Sequence, residues 1–306
     1  TGSNGKTMVK EWLHQLLSSS MFVTRSPRSY NSQIGVPLSV WLLNEQTQVG
    51  VFEAGISQPG EMLALRDIIQ PTIAVLTYLG AAHQENFESL EAKCREKIIL
   101  FHDAETIVYN GDDETVSGVV NEYKDYKGEK LFWSFRDTKA PFFVKNVEKK
   151  GNLSIITYIY KGEEDSYSLP FIDEASVTNS IIAAVVSRRL GLSAEELDKR
   201  MALLEPVAMR LEVKEGQHGC TLINDSYNSD INSLDIALDF MSRRPDHKGR
   251  RHTLILSDIF QSGESAKDLY HEVSDLCRKR GVVKFIGIGP QLCSQSDEIQ
   301  ISEKFF

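Results

Sequence analysis

The sequence opens on Thr1-Gly2-Ser3-Asn4-Gly5-Lys6-Thr7, a glycine-rich turn that runs into a helical pattern. Glycines in such a turn let backbone N–H groups close on an anion, and a helix N-terminus adds partial positive charge. Lys6 would reach the β- and γ-phosphates of a nucleotide, and the Thr7 hydroxyl would ligate Mg²⁺. The strict phosphate-loop pattern needs a glycine just before Thr1, so the match is incomplete, and an ordinary turn before a helix is the plainer alternative. Three more residues have types suited to such a site. Glu53 ends the apolar run Val49-Gly50-Val51-Phe52; a carboxylate at the carboxyl end of a parallel strand can hold a hard cation, or simply be a solvated strand end. His83 follows the run ending at Thr77, and a lone histidine is more often structural than a ligand. Lys97 shares a helical face with Leu90, Cys94, Ile98 and Phe101, where the ordinary reading is a lysine snorkelling at the edge of a core.

The elements that must position these residues alternate along the chain. Periodicity predicts helices over residues 5–17, 60–69, 89–101, 176–190 and 194–203, and buried strands over 49–53, 72–77 and 106–109. Alternating apolar strands and helices indicate an α/β fold, with a mostly parallel sheet covered on both faces. Residues 130–169 are β-rich and flanked by charge and glycine, which predicts an antiparallel extension. Pro206 stops the last helix and places a domain boundary there, giving a central ATP-binding domain over 1–205 and a C-terminal domain over 206–306. In the second domain, strands over 220–224, 253–256 and 283–288 with helices over 233–243 and 267–280 predict another open, Rossmann-like α/β sheet.

The 306 residues are 41% hydrophobic with a formal net charge of -9. An acidic surface argues against nucleic acid as the main partner, since phosphate backbones call for clustered Lys and Arg. Cys94, Cys220, Cys277 and Cys293 have neither zinc-site nor disulfide-framework spacing, which points to reduced thiols in a cytoplasmic protein. No apolar run reaches the roughly 18 residues of a membrane span. The chain opens inside a motif, so its true N-terminus is expected upstream.

Taken together, Thr1–Thr7 resembles the nucleotide loop of the Mur ligases, which build the bacterial cell-wall peptide; folylpolyglutamate synthases carry a similar loop. Further residues follow the Mur series: Phe52-Glu53-Ala54-Gly55, Pro59-Gly60-Glu61, Gln70-Pro71-Thr72-Ile73-Ala74-Val75 and Ala82-His83. The resemblance implies that Glu53 and His83 hold Mg²⁺ together with Thr7. It also implies that a lysine fourteen residues after the histidine, which is Lys97, is carbamylated and helps hold a second Mg²⁺; Lys93 competes but its spacing is wrong. A carbamate turns a cation into an anion, which suits a residue facing metal ions. Asn31-Ser32-Gln33-Ile34-Gly35-Val36-Pro37 and Asp225-Ser226-Tyr227-Asn228 resemble the branch that adds D-alanyl-D-alanine to UDP-muramyl-tripeptide. That likeness implies ATP contacts for Gly2, Ser3, Asn4, Gly5, Lys6, Thr7, Asn179, Arg210 and Asp225, and substrate contacts for Asn31, Tyr227 and Asn228. Lys6, Lys97 and His83 would be the catalytic set. The sequence departs from the branch at Ala175-Ser176, Ser229-Asp230-Ile231 and Leu256-Ser257-Asp258-Ile259.

The implied reaction is ATP-dependent amide formation through an acyl phosphate. A folylpolyglutamate synthase and a non-catalytic nucleotide-binding module are the alternatives. Family members carry an N-terminal domain that grips the UDP-sugar, and some continue into an alanine racemase. The 306 residues show no counterpart of the first and are expected to stop short of a complete C-terminal domain. By itself the chain is therefore expected to bind ATP weakly or not at all and to lack ligase activity.

Overall fold

The computed structural model describes residues 1–80, 84–124, 126–207, 211–226, 230–244, 249–260 and 265–306. The chain divides into two compact units, Thr1–Gly80 with Asn86–Glu205, and Ala81–Glu85 with Pro206–Phe306.

The first unit runs α1 (Lys6–Leu17), β1 (Val23–Arg25), α2 (Gly35–Val40), β2 (Val49–Val51), α3 (Glu61–Ile69), β3 (Ile73–Val75), α4 (Leu90–Ile98), β4 (Thr106–Asn110) and α5 (Glu114–Glu122). It continues through β5 (Glu129–Ser134), β6 (Phe142–Lys150), β7 (Leu153–Tyr160), β8 (Glu163–Leu169), α6 (Glu174–Arg189) and α7 (Ala194–Met201). Strands β3 to β8 form one six-stranded sheet in sequence order, and β1 pairs with β2 in a separate parallel pair. Met62 and Leu65 of α3, Ile98 of α4, and Val116 and Val120 of α5 cluster with Ala74, Ile107 and Tyr109. Val108 lies between the last two and points to the opposite face, yet it is fully buried, so the sheet is covered on both sides. Helix α6 is buried along most of its length and packs on β4, β5 and α1, its central run 181–186 being apolar all round.

The expected antiparallel extension is corrected in part. Strand β5 is parallel to β4, and β6 is parallel to β5; antiparallel pairing begins at β6–β7 and continues at β7–β8. Helix α5 is the reason for the parallel entry of β5. It forms a crossover between β4 and β5, and a crossover returns a strand in the parallel sense. Between the edges of β2 and β3 lies a cavity of about 370 Å³, lined by apolar side chains such as Val9, Leu13, Val51 and Val75 and by charged ones, Lys10 and Glu53 among them. Thr1 takes a strand position beside β3. Its amine donates to Val75 O at 2.8 Å and its carbonyl accepts from Thr77 N at 2.9 Å.

The second unit contains β9 (Glu212–Glu215), β10 (Thr221–Asn224), α8 (Ile231–Arg243), β11 (His252–Ser257), α9 (Ala266–Lys279), β12 (Val282–Ile288), α10 (Pro290–Ser294) and β13 (Glu303–Phe305). Strands β11, β12 and β13 form a parallel sheet over a core of Leu234, Leu238, Leu269, Val273, Phe285 and Leu292. Strand β10 does not join that sheet as expected; it pairs antiparallel with β9. The turn between them is closed by Gly216 N donating to Cys220 O at 2.8 Å, a local hairpin that satisfies the β10 backbone. Among the described residues no helix is long and apolar enough to cross a membrane.

Candidate active site

The glycine-rich loop is clamped to the segment that follows β3. Ser3 N donates to Tyr78 O at 2.6 Å, Gly80 N donates to Ser3 Oγ at 3.0 Å, and the Thr77 hydroxyl donates to Asn4 O at 2.5 Å. Two positions demand glycine. A Cβ on Gly2 would stand 2.1 Å from Thr77 Oγ1; one on Gly5, held at φ 86°, would stand 2.4 Å from Asn179 Oδ1. Gly5 is the N-cap of α1, and no side chain caps that helix. Helices α4, α6 and α7 have their own caps in Ser89, Asp173 and Ser193. Even α3, which also begins after a glycine, is served by Glu96, which accepts from Gly60 N at 2.8 Å. An uncapped helix N-terminus behind a glycine turn is an anion cradle.

Lys6, half-buried, folds back on the loop and donates to Gly2 O at 2.9 Å and Ser3 O at 3.1 Å. Thr7 lies one residue on and faces the other way. Its hydroxyl donates to Glu53 Oε2 at 3.2 Å and lies 3.0 Å from Ser29 Oγ. Glu53 is 2% exposed. Asn31 Nδ2 approaches the same Oε2 at 3.5 Å, and Gly55 leaves the room for it: a Cβ there would meet Asn31 Cγ at 2.9 Å. The other carboxylate oxygen, Oε1, lies 3.1 Å from Lys10 Nζ, held by charge without hydrogen-bond geometry. The structure thus brings Lys6, Thr7, Asn31 and Glu53 together at the loop. Residues 1–187 match the Mur ligase middle domain. The chain belongs to the Mur ligase family.

Within that family the chain is similar to the UDP-N-acetylmuramoyl-tripeptide–D-alanyl-D-alanine ligases of Bacillus subtilis (27% identical, covering 89% of this chain and 58% of the relative) and Escherichia coli (24%, covering 100% and 67%). Its fold matches the crystal structure of MurF from Acinetobacter baumannii with a TM-score of 0.84 at 21% identity, covering 99% of this chain and 66% of the other. MurF from Thermotoga maritima in complex with ADP matches at 0.82 and 22%, covering 99% and 68%. The chain spans about three fifths of the length of the first of these curated relatives.

In this Mur ligase chain Lys97 is 3% exposed and donates to Gly2 O at 3.3 Å, so α4 delivers it to the glycine-rich loop. Lys93, one turn earlier and also buried, donates instead to Gly80 O at 2.5 Å. Burial, with Lys6 and Lys93 nearby, pushes the Lys97 amine well below the usual lysine range. The folded chain therefore resists protonation that the unfolded chain accepts. The resulting penalty is largest below the lowered value and vanishes as pH rises to 10.5, the unperturbed value. Lys97→Met is expected to stabilise the fold by about 1 kcal/mol near neutral pH, with the gain fading towards pH 10.5. Urea unfolding at both ends of that range, in buffer free of carbon dioxide, measures it. No gain near neutral pH would mean that the hydrogen bond to Gly2 outweighs the burial.

Asn179 is 8% exposed and its amide oxygen faces Gly5. Asp225 belongs to the second unit, where Oδ1 accepts from Leu211 N at 3.1 Å. His83, Arg210, Tyr227 and Asn228 lie outside the described residues. Three contributors escaped the sequence reading: Lys10, Ser29 and Thr77. Only Lys10 left a signal, as a charge on the buried face of α1 beside Thr7, Val9 and Leu13.

Among the described residues no three His, Cys, Asp or Glu side chains converge on a metal position. Mg²⁺ does not require that, since it is commonly held by one or two protein oxygens plus phosphates and water. The Thr7 hydroxyl and the buried Glu53 carboxylate, 3.2 Å apart, are hard oxygen donors that fit it.

Proposed function

We propose that the chain is the nucleotide- and metal-binding part of an ATP-dependent ligase that joins D-alanyl-D-alanine to UDP-N-acetylmuramoyl-tripeptide, in the cytoplasm, as a step of peptidoglycan precursor synthesis. The observation that carries this reading is the meeting of the Thr7 hydroxyl and the Glu53 carboxylate at 3.2 Å, beside the uncapped N-terminus of α1. The names of the curated relatives support the choice of acceptor.

In the proposed reaction the tripeptide carboxylate attacks the γ-phosphate of ATP, ADP leaves, and the amine of D-alanyl-D-alanine displaces phosphate from the acyl phosphate. Two anions must first approach, and at about 4 Å two unit charges repel by about 4 kcal/mol at an effective dielectric of about 20. The loop N–H groups and the α1 N-terminus cradle the phosphates, and Lys6 swings from Gly2 O and Ser3 O onto them. Thr7 and Glu53 would hold Mg²⁺, with His83 as a further ligand. When bound, Mg²⁺ neutralises charge on the transferring phosphoryl group. Lys97, as its carbamate, would add a negative oxygen donor beside Gly2. Its depressed basicity favours the neutral amine that carbamylation requires. Asn179, whose amide oxygen faces Gly5, is read as an adenine contact, with Arg210 and Asp225 as further ATP contacts and Asn31, Tyr227 and Asn228 as substrate contacts.

Phosphate release from ATP by the full-length protein tests the reading. Release is expected with UDP-muramyl-tripeptide plus D-alanyl-D-alanine. Release with folate plus glutamate instead would replace the reading by a folylpolyglutamate synthase, and release with neither would leave a nucleotide-binding module.

A further inference from the structure

Lys10 stands one helical turn after Lys6 on α1 and is 2% exposed. Its ammonium is ringed by oxygens from three segments. Glu53 Oε1 lies at 3.1 Å and Glu11 Oε1 at 2.9 Å; Ser26 O accepts at 2.9 Å, and Arg28 O accepts as well. Glu11 in turn pairs with Arg25 of β1 at 2.9 Å. The charges therefore alternate from Glu53 at the loop, through Lys10 and Glu11, to Arg25.

A buried ion pair is weak evidence for stability, because apolar residues of similar volume often serve as well. The geometry here has a more specific consequence. Lys10 takes one oxygen of Glu53 and leaves Oε2 to Thr7 and Asn31, so it decides which face of the carboxylate the loop sees. It also holds residues 26–28, whose continuation carries Ser29 to the Thr7 hydroxyl. Arg28 sits at φ 49°, a left-handed conformation that non-glycine residues adopt at a cost, and its carbonyl is one of those that Lys10 holds. Glu53 N donates to Ser26 Oγ at 3.3 Å, closing the same ring of contacts.

We infer that Lys10 is a positioning residue for the metal site, setting the Glu53 carboxylate for a divalent cation; this rests on the reading of Glu53 as a metal ligand. The test uses full-length protein, a fluorescent ATP analogue, and titration with Mg²⁺. In the wild type, Mg²⁺ strengthens binding of the analogue. Lys10→Met keeps Mg²⁺-free binding within about twofold, but needs about 10- to 100-fold more Mg²⁺ for half of the strengthening, the usual loss when a residue supporting a metal ligand is removed. Lys10→Arg, which keeps the charge, recovers most of it. If Lys10→Met does not fold, Lys10→Gln, which keeps a donor for the Ser26 and Arg28 carbonyls, is measured by the same criterion. A Mg²⁺ requirement within about twofold of wild type in a folded neutral variant overturns the inference and leaves Lys10 a structural counter-ion. Absence of any Mg²⁺ strengthening in the wild type overturns the metal reading itself, and the inference with it.

Discussion

Lys6→Met is expected to lower ligase turnover by about three orders of magnitude while leaving the fold intact. The size follows from the role. Positively charged groups that meet developing phosphoryl charge in a site shielded from water contribute about 10²- to 10⁵-fold to the rate. The fold is spared because Lys6 is only half-buried, it donates to carbonyls of its own loop, those of Gly2 and Ser3, and methionine is as good a helix former as lysine. Phosphate release by the full-length protein gives kcat, and thermal melting gives the control. A turnover within about tenfold of wild type, at unchanged melting temperature, would remove Lys6 from the phosphate site.

Glu53→Ala is expected to act on stability and metal response together. The side chains of Lys10 and Glu53 are 2% and 1% exposed. Deleting one partner of a buried pair costs about 3–5 kcal/mol, because the other charge stays buried. Glu11 remains 2.9 Å from Lys10, which places the expected loss near the lower end, about 3 kcal/mol. That is a large share of a domain's stability. Glu53→Gln keeps the packing and an acceptor for Thr7, so it is expected to lose less stability and still lose the Mg²⁺ response of nucleotide binding. Urea unfolding of both variants, with Mg²⁺ titrations beside it, separates the two effects. Unfolding of Glu53→Ala within about 1 kcal/mol of wild type would show that Glu11 alone compensates Lys10.

The residues of the glycine-rich loop were legible because their signals are local. Gly2, Gly5, Lys6 and Thr7 sit within one turn of a helix start, and the clashes that a Cβ would make at Gly2 and Gly5 give those glycines their reason. Glu53 was legible as the end of an apolar run, and Lys97 as the charged member of a stripe whose Cys94, Ile98 and Phe101 are indeed buried. Helix α5 was missed although Asp113 caps it, accepting from Val116 N at 3.0 Å, and with it the parallel entry of β5. Strand β10 reads the same alone whether it joins a parallel sheet or a hairpin. Pairing is a choice among partners, and β9 offers the nearest one.

By itself, then, the sequence determined the α/β alternation, the glycine turn that opens α1, and the residue types from which the proposed nucleotide and metal chemistry is argued. Those follow from hydrophobic period and residue type, which act over a few neighbours. Only the tertiary structure decided that Lys10 shares the carboxylate of Glu53, that Ser29 meets Thr7, and that Lys97 rather than Lys93 reaches Gly2. Such contacts join residues 22 to 95 positions apart. They exist only once the sheet and its helices have set the distances, and no local pattern encodes them.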